Sequence, residues 1–156
     1  MPGKRQIGAI AILLGGTLAA IATFLPWVRT FYPTVLDEPT STVFYSPAQS
    51  LVRPLQLSLL VAPIVLAANG ISVLRRGDTA PRPRVWIASL MLELLGASWT
   101  ILIAMLLFSL VGGFSVPRHT NTLEAGPALA LLGYLCAFVG ALLLRAAPMP
   151  QSRARI

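Results

Sequence analysis

One acid stands inside an otherwise apolar sequence. Glu93 is the single Asp, Glu, Lys, Arg or His within the four long apolar stretches of the chain, and the residues whose type and depth could work with it are Tyr134, Asn69 and Thr17. A carboxyl in that setting can hold a proton, meet a cation, or donate a hydrogen bond between helices. An intramembrane carboxylate costs at least about 2.5 kcal/mol on insertion scales, so it is expected to face away from lipid. Helical spacing puts Ser89, Gly96, Ala97, Thr100 and Ala104 on the same face, all small or polar. Glu93 lies eight residues past Val85, about 12 Å into the membrane at 1.5 Å per residue. Counted from the same side, Asn69 is about 8 Å deep, Cys136 about 12 Å, and Tyr134 and Thr17 about 15 to 16 Å. A buried polar cluster of Glu93, Tyr134, Asn69 and Thr17 is the candidate site, with Glu93 protonated or hydrogen-bonded.

Two uses of that carboxyl stay open. As a proton or cation site it would serve transport or coupling, the usual role of ionisable groups within membranes. As interhelical glue it would donate to Asn69 or to a carbonyl freed by Pro63, for about 1 kcal/mol. Glue takes precedence, because no second acid or base stands within the stretches to relay a proton.

Other reactive side chains are scattered. His119, beside Arg118 and five residues before Glu124, fits hydration better than an ion pair or a metal, and Asp37-Glu38 reads as a wet loop tip. Cys136 is the single cysteine, so no intrachain disulfide forms. The sequence lacks a Cys-x-x-Cys, a histidine pair, an acidic cluster and a glycine-rich phosphate cradle. It therefore predicts a non-enzyme with no metal and no cofactor.

The elements that must position these residues are the stretches 7–25, 55–74, 86–110 and 127–144. A hydrocarbon core about 30 Å thick needs roughly 20 apolar residues as helix, and each stretch meets or approaches that. Charged residues are only 11% of the chain and hydrophobic residues 56%; a soluble domain carries about 25% charged. The expected fold is all-α, an integral-membrane four-helix bundle forming one domain over residues 1–156, with lipid as its first partner. A net charge of +7 would suit a nucleic-acid binder, but the cations are divided among the segments flanking the stretches. No nucleic acid is expected. Summed over alternate sides the basic residues stand nine against three, so both termini are expected in the cytoplasm and the protein in the cell membrane. Eleven of the twelve are Arg, the usage of a GC-rich, bacterial genome. Trp27 and Trp86, at stretch ends, are expected in the headgroup layer. A rival for the first stretch is a secretory signal cleaved after Ala20-Ile21-Ala22; the length of the apolar run argues for a span.

Small residues recur four apart in the first stretch (Ala11, Gly15, Ala19, Thr23) and in the fourth (Gly133, Ala137, Ala141). Such rows let backbones approach closely and are expected contact faces for other helices, a second copy or a protein partner. Pro63 should kink the second span. Arg75 to Arg84 reads as a tight turn. The outer loop 28–54 is long and aromatic, with Thr42–Tyr45 as a short strand, and is the natural place for partner recognition.

The run Leu25-Pro26-Trp27-Val28, followed by an outer loop, a second span and an Arg-rich turn, resembles the small four-helix actinobacterial membrane proteins of the tryptophan-associated type. The likeness covers about the first half of the chain and implies membrane location and architecture, with no activity. Small multidrug transporters also have four short helices and one membrane Glu, but they carry it in the first span and have shorter loops. The expected role is an accessory or scaffolding subunit of a membrane assembly; the alternative is a small proton- or cation-coupled transporter or channel-like oligomer using Glu93.

Overall fold

The computed structural model describes residues 3–32, 41–76, 83–113 and 120–146. In chain order these form α1 (Lys4–Ala22), β1 (Val28–Tyr32), β2 (Ser41–Tyr45), α2 (Pro47–Ser50), α3 (Arg53–Arg75), α4 (Pro83–Gly113), β3 (Thr120–Leu123) and α5 (Ala125–Arg145). Helices α1, α3, α4 and α5 are long and apolar enough to cross a membrane, with mean hydropathy from 1.6 to 2.2 over their best windows.

Their packing reverses the size order of a soluble core. Large side chains such as Leu14, Leu95, Met105 and Leu135 point outward and are more than half exposed, while Ala9, Gly15, Gly16, Ala19, Ala137 and Ala141 are buried between helices. Hydrocarbon solvates Leu as well as a protein interior does, so nothing drives Leu inward; close backbone approach does the work instead. Helix α1 lies between α3 and α5, and α4 packs on α5 and more loosely on α3. At the α1–α5 crossing Gly15 rests against Gly133 O and Ala137, and on the other side of α1 Gly16 rests against Pro63 O and Ala67 N. The small-residue rows are thus consumed inside the chain. Helix α3 is assigned as one element through the buried Pro63, which faces α1.

Two boundaries and the placement of one tryptophan differ from expectation. Helix α1 ends at Ala22 rather than Leu25. Thr23 Oγ1 turns back to Ala19 O (3.3 Å), and Trp27 Nε1 donates to Ala22 O (2.7 Å), so side chains close the helix before Pro26 enters. Trp27 is therefore not a headgroup anchor. It is 1% exposed, and its indole lies so close over Gly126 that any β-carbon there would enter the ring. Helix α4 starts at Pro83, inside the expected turn, because proline is well placed in a first helical turn; residues 77–82 of that turn lie outside the described residues.

The chain is not purely helical. Strands β2, β1 and β3 form an antiparallel sheet in that order, with Val28 opposite both Tyr45 and Leu123, and Thr30 opposite both Val43 and Asn121. The expected strand over Thr42–Tyr45 is β2; β1 and β3 are additional. Backbone bonds from Trp27 N to Tyr45 O (2.8 Å) and Glu124 N to Trp27 O (3.0 Å) carry the ladder up to the helix ends. The sheet thereby ties the finish of α1 to the start of α5. Alternation sends Val28 and Thr30, both 0% exposed, toward the helices, and Arg29, Phe31 and Phe44 to the opposite face.

Candidate functional site

The inward face of α4 carries a ladder of polar side chains. Ser89, Glu93 and Thr100 are all buried on it. Neighbouring helices answer most of them. Asn69 Nδ2 of α3 approaches Ser89 Oγ at 3.5 Å, a long hydrogen bond. Tyr134 of α5 lies flat on Gly96, where an added β-carbon would stand 2.5 Å from its Cε1 and Cζ, and its hydroxyl pairs with Thr100. One turn further along, Trp99 Nε1 donates to Ser58 Oγ (2.8 Å), and Ser58 Oγ donates to Leu55 O (2.7 Å).

Glu93 sits between these rungs. It is one turn from Ser89 on one side and one turn from Gly96 on the other, so Asn69 and Tyr134 occupy the layers just below and just above it. Glu93 is 2% exposed, and neither carboxyl oxygen has a hydrogen-bond partner among the described residues. The two proposed glue contacts are not made: Asn69 turns to Ser89, and no carbonyl near Pro63 receives the acid. A buried polar group without a partner is uncommon in folded proteins because it gives up hydration for nothing.

Of the four expected cluster members, the structure brings Glu93, Tyr134 and Asn69 into successive layers and leaves Thr17 out. Thr17 is exposed on the outer surface of α1, its Oγ1 returned to Leu13 O at 2.8 Å. Its depth suits the cluster, but Gly15, Gly16 and Ala19 take the inward directions of that helix, and Thr17 is left pointing away. Ser89 and Thr100 were legible as the Glu93 face; the Trp99–Ser58 pair was missed. Its signal was present: Trp99 stands eleven residues before the end of its span at Leu110, about 16 Å deep, and an indole N–H beyond headgroup reach needs a partner from a neighbouring helix.

Beside the ladder, a cavity of about 390 Å³ lies between α3 and α4, walled by Val61, Leu92, Leu95 and Trp99, with Gly96 and the Tyr134 ring also lining it. It opens sideways, where Val61 and Leu95 are exposed. Its lining is almost wholly apolar. Such a recess accepts hydrocarbon.

At the sheet end, Glu124 is paired with Arg29 Nε at 2.8 Å, and Thr30 Oγ1 donates to Asn121 Oδ1 at 2.8 Å. Arg118, His119, Asp37 and Glu38 lie outside the described residues. Cys136 is half-buried and unbonded. Among the described residues no three His, Cys, Asp or Glu side chains gather as metal ligands would.

The chain matches no protein-family model and no curated protein. Its own geometry carries the functional reading.

Proposed function

We propose that the chain is a non-enzymatic four-span bundle of the cell membrane, with both termini in the cytoplasm, that acts as an accessory or scaffolding subunit of a membrane assembly through its extracytoplasmic sheet. The charge bias of nine cations against three supports the orientation. It puts Lys4, Arg75, Arg76 and Arg145 inside and the sheet outside. The observation that carries the role is the outward face of the sheet, where Phe31 and Phe44 are 42% and 51% exposed. They are held in place by a central strand paired on both sides. Fixed, exposed aromatics on a rigid platform are what a protein interface uses as anchors. The small-residue rows of α1 and α5 already pack on one another, which leaves the sheet to meet a partner. The Leu25-Pro26-Trp27 corner, on which the resemblance to tryptophan-associated four-helix proteins rests, is the joint between span and sheet, and this supports placing the chain with them. The test is co-purification in mild detergent after crosslinking. A Phe31→Ser, Phe44→Ser double variant should lose the proteins that the wild type retains while keeping its own elution volume; retention of the same proteins refutes the role.

A second reading is favoured by the unpartnered Glu93. A carboxyl that contributes no bond to the fold is better accounted for by use than by architecture, and the use would be proton- or cation-coupled transport by an oligomer. Reconstituted protein with pH-dependent flux that Glu93→Gln abolishes would support it; flux unchanged by Glu93→Gln, or none, would refute it.

A further inference from the structure

At the end opposite the sheet, cations from three helices converge on one layer. Gly8 of α1 rests against Gly140 O and Leu144 N of α5, so Lys4 and Arg5, one turn earlier, come level with Arg145. Gly70 of α3 rests against Ala9 O and Leu13 N of α1, which brings Arg75 and Arg76 to the same level. The Arg145 guanidinium lies 5.3 Å from the ring centroid of Trp86 on α4, closing the layer on the fourth helix. Lys4, Arg75, Arg76 and Arg145 are exposed. Of the described acids, Glu93 is one turn beyond Ser89 within α4 and Glu124 is paired with Arg29 at the sheet end, while Arg5 and Arg76 already have interactions within the chain, so the exposed Lys4, Arg75 and Arg145 are the cations the layer offers.

We propose that this layer, through Lys4, Arg75 and Arg145, is a binding surface for anionic phospholipid headgroups. Charge complementarity names the ligand class, and the position names the source. The cations ring the ends of helices that cross the membrane, at the depth where lipid phosphates lie, and the half-buried Trp86 indole marks that depth independently. Arg145 is the anchor. Stacked on Trp86, its planar guanidinium is already oriented and gives up less freedom on meeting a phosphate than a loose lysine would. The packing that sets the layer is backbone contact between glycine-bearing helices, so the backbone positions from which the cations extend are fixed relative to one another. An arrangement of that kind selects anionic over zwitterionic lipid and does not depend on which face of the membrane it occupies.

The test uses the full chain in nanodiscs of equal parts phosphatidylglycerol and phosphatidylethanolamine, with retained lipids identified by native mass spectrometry after release. The wild type should retain phosphatidylglycerol preferentially, and the preference should shrink as salt is raised. An Arg75→Gln, Arg145→Gln variant should lose at least about fivefold of it, the change expected from one cation near an anionic surface. Arg145→Gln alone, which gives up the stack on Trp86 but none of the glycine contacts that align the helices, should already reduce it. Arg53→Gln, at the sheet end, should keep it. Equal retention of both lipids by the wild type overturns the proposal, as does equal loss in Arg53→Gln. Displacement of phosphatidylglycerol by inorganic phosphate at matching concentration would also overturn it, because the layer would then be a site for a soluble anion.

Discussion

Gly15 of α1 and Gly133 of α5 meet backbone to backbone. A β-carbon on Gly133 would stand 2.6 Å from Gly15 O, and one on Gly15 would run into Gly133 O. Each glycine is the socket for the other's peptide. Where lipid is the solvent, dispersion contact of this kind replaces the hydrophobic drive that holds soluble helices together. Gly133→Ala should therefore lower stability in detergent by about 1 to 3 kcal/mol through forced separation of α1 and α5. Gly3→Ala, with nothing within 4 Å of the new β-carbon, should change it by less than about 0.5 kcal/mol. Denaturant titration followed by helical circular dichroism measures both.

The buried indole of Trp27 makes a prediction that a headgroup anchor would not. Trp27→Phe keeps most of the ring but removes the indole N–H from Ala22 O, which retains the Leu25 N–H at 3.2 Å, so it should cost about 0.5 to 1.5 kcal/mol, the worth of one hydrogen bond. Trp86→Phe, at a half-buried site, should cost less than that. Thermal unfolding of the two variants side by side gives the order; equal small losses would return Trp27 to the membrane surface.

Two polar pairs hold the sheet, and burial separates their worth. Arg29 and Glu124 remain 47% and 26% exposed, so Glu124→Gln should change stability by less than about 1 kcal/mol. Thr30 is 0% exposed and donates to Asn121. Thr30→Val preserves its shape but leaves the Asn121 oxygen without that donor, so it should cost about 1 to 3 kcal/mol. Proteolysis rates within the sheet, compared for the two variants, check the ranking.

Glu93 separates architecture from use. Because its carboxyl meets no partner among the described residues, replacing it by leucine removes a desolvated polar group. Glu93→Leu should hold or raise stability, by up to about 1 to 3 kcal/mol. A loss of similar size would make the residue interhelical glue after all. Unfolding in detergent, measured together with the flux and co-purification assays, shows whether stability and function move in opposite directions.

The spans were legible because a run of about 20 apolar residues has few other uses. Depth was legible as well. Counting 1.5 Å per residue put Asn69, Glu93 and Tyr134 at successive depths within about 8 Å, and the structure stacks them in successive layers. Rotation was legible only where a row of small residues marks the contact face; Thr17 had the right depth, but it stands two residues, about 200°, from Gly15 and Ala19 and so points away. The sheet was half legible. Thr42–Tyr45 is β-branched and aromatic throughout, the composition of a strand, but β1 pairs with β3 across about ninety residues, and no local signal in Thr120–Leu123 announces that partner. Trp27 was misplaced for a related reason. Its pocket is built by Gly126, far along the chain, and without that glycine an indole at a helix end belongs among headgroups.

The proposed arrangement in the membrane, four crossings with the sheet outside and both termini within, is tested most directly by cysteine labelling in intact cells. In a Cys136→Ala background, an impermeant maleimide should modify Thr42→Cys, on the outward face of β2, before lysis, and Gly3→Cys only after the membrane is opened. Modification of Gly3→Cys in intact cells, or protection of Thr42→Cys until lysis, would contradict that arrangement.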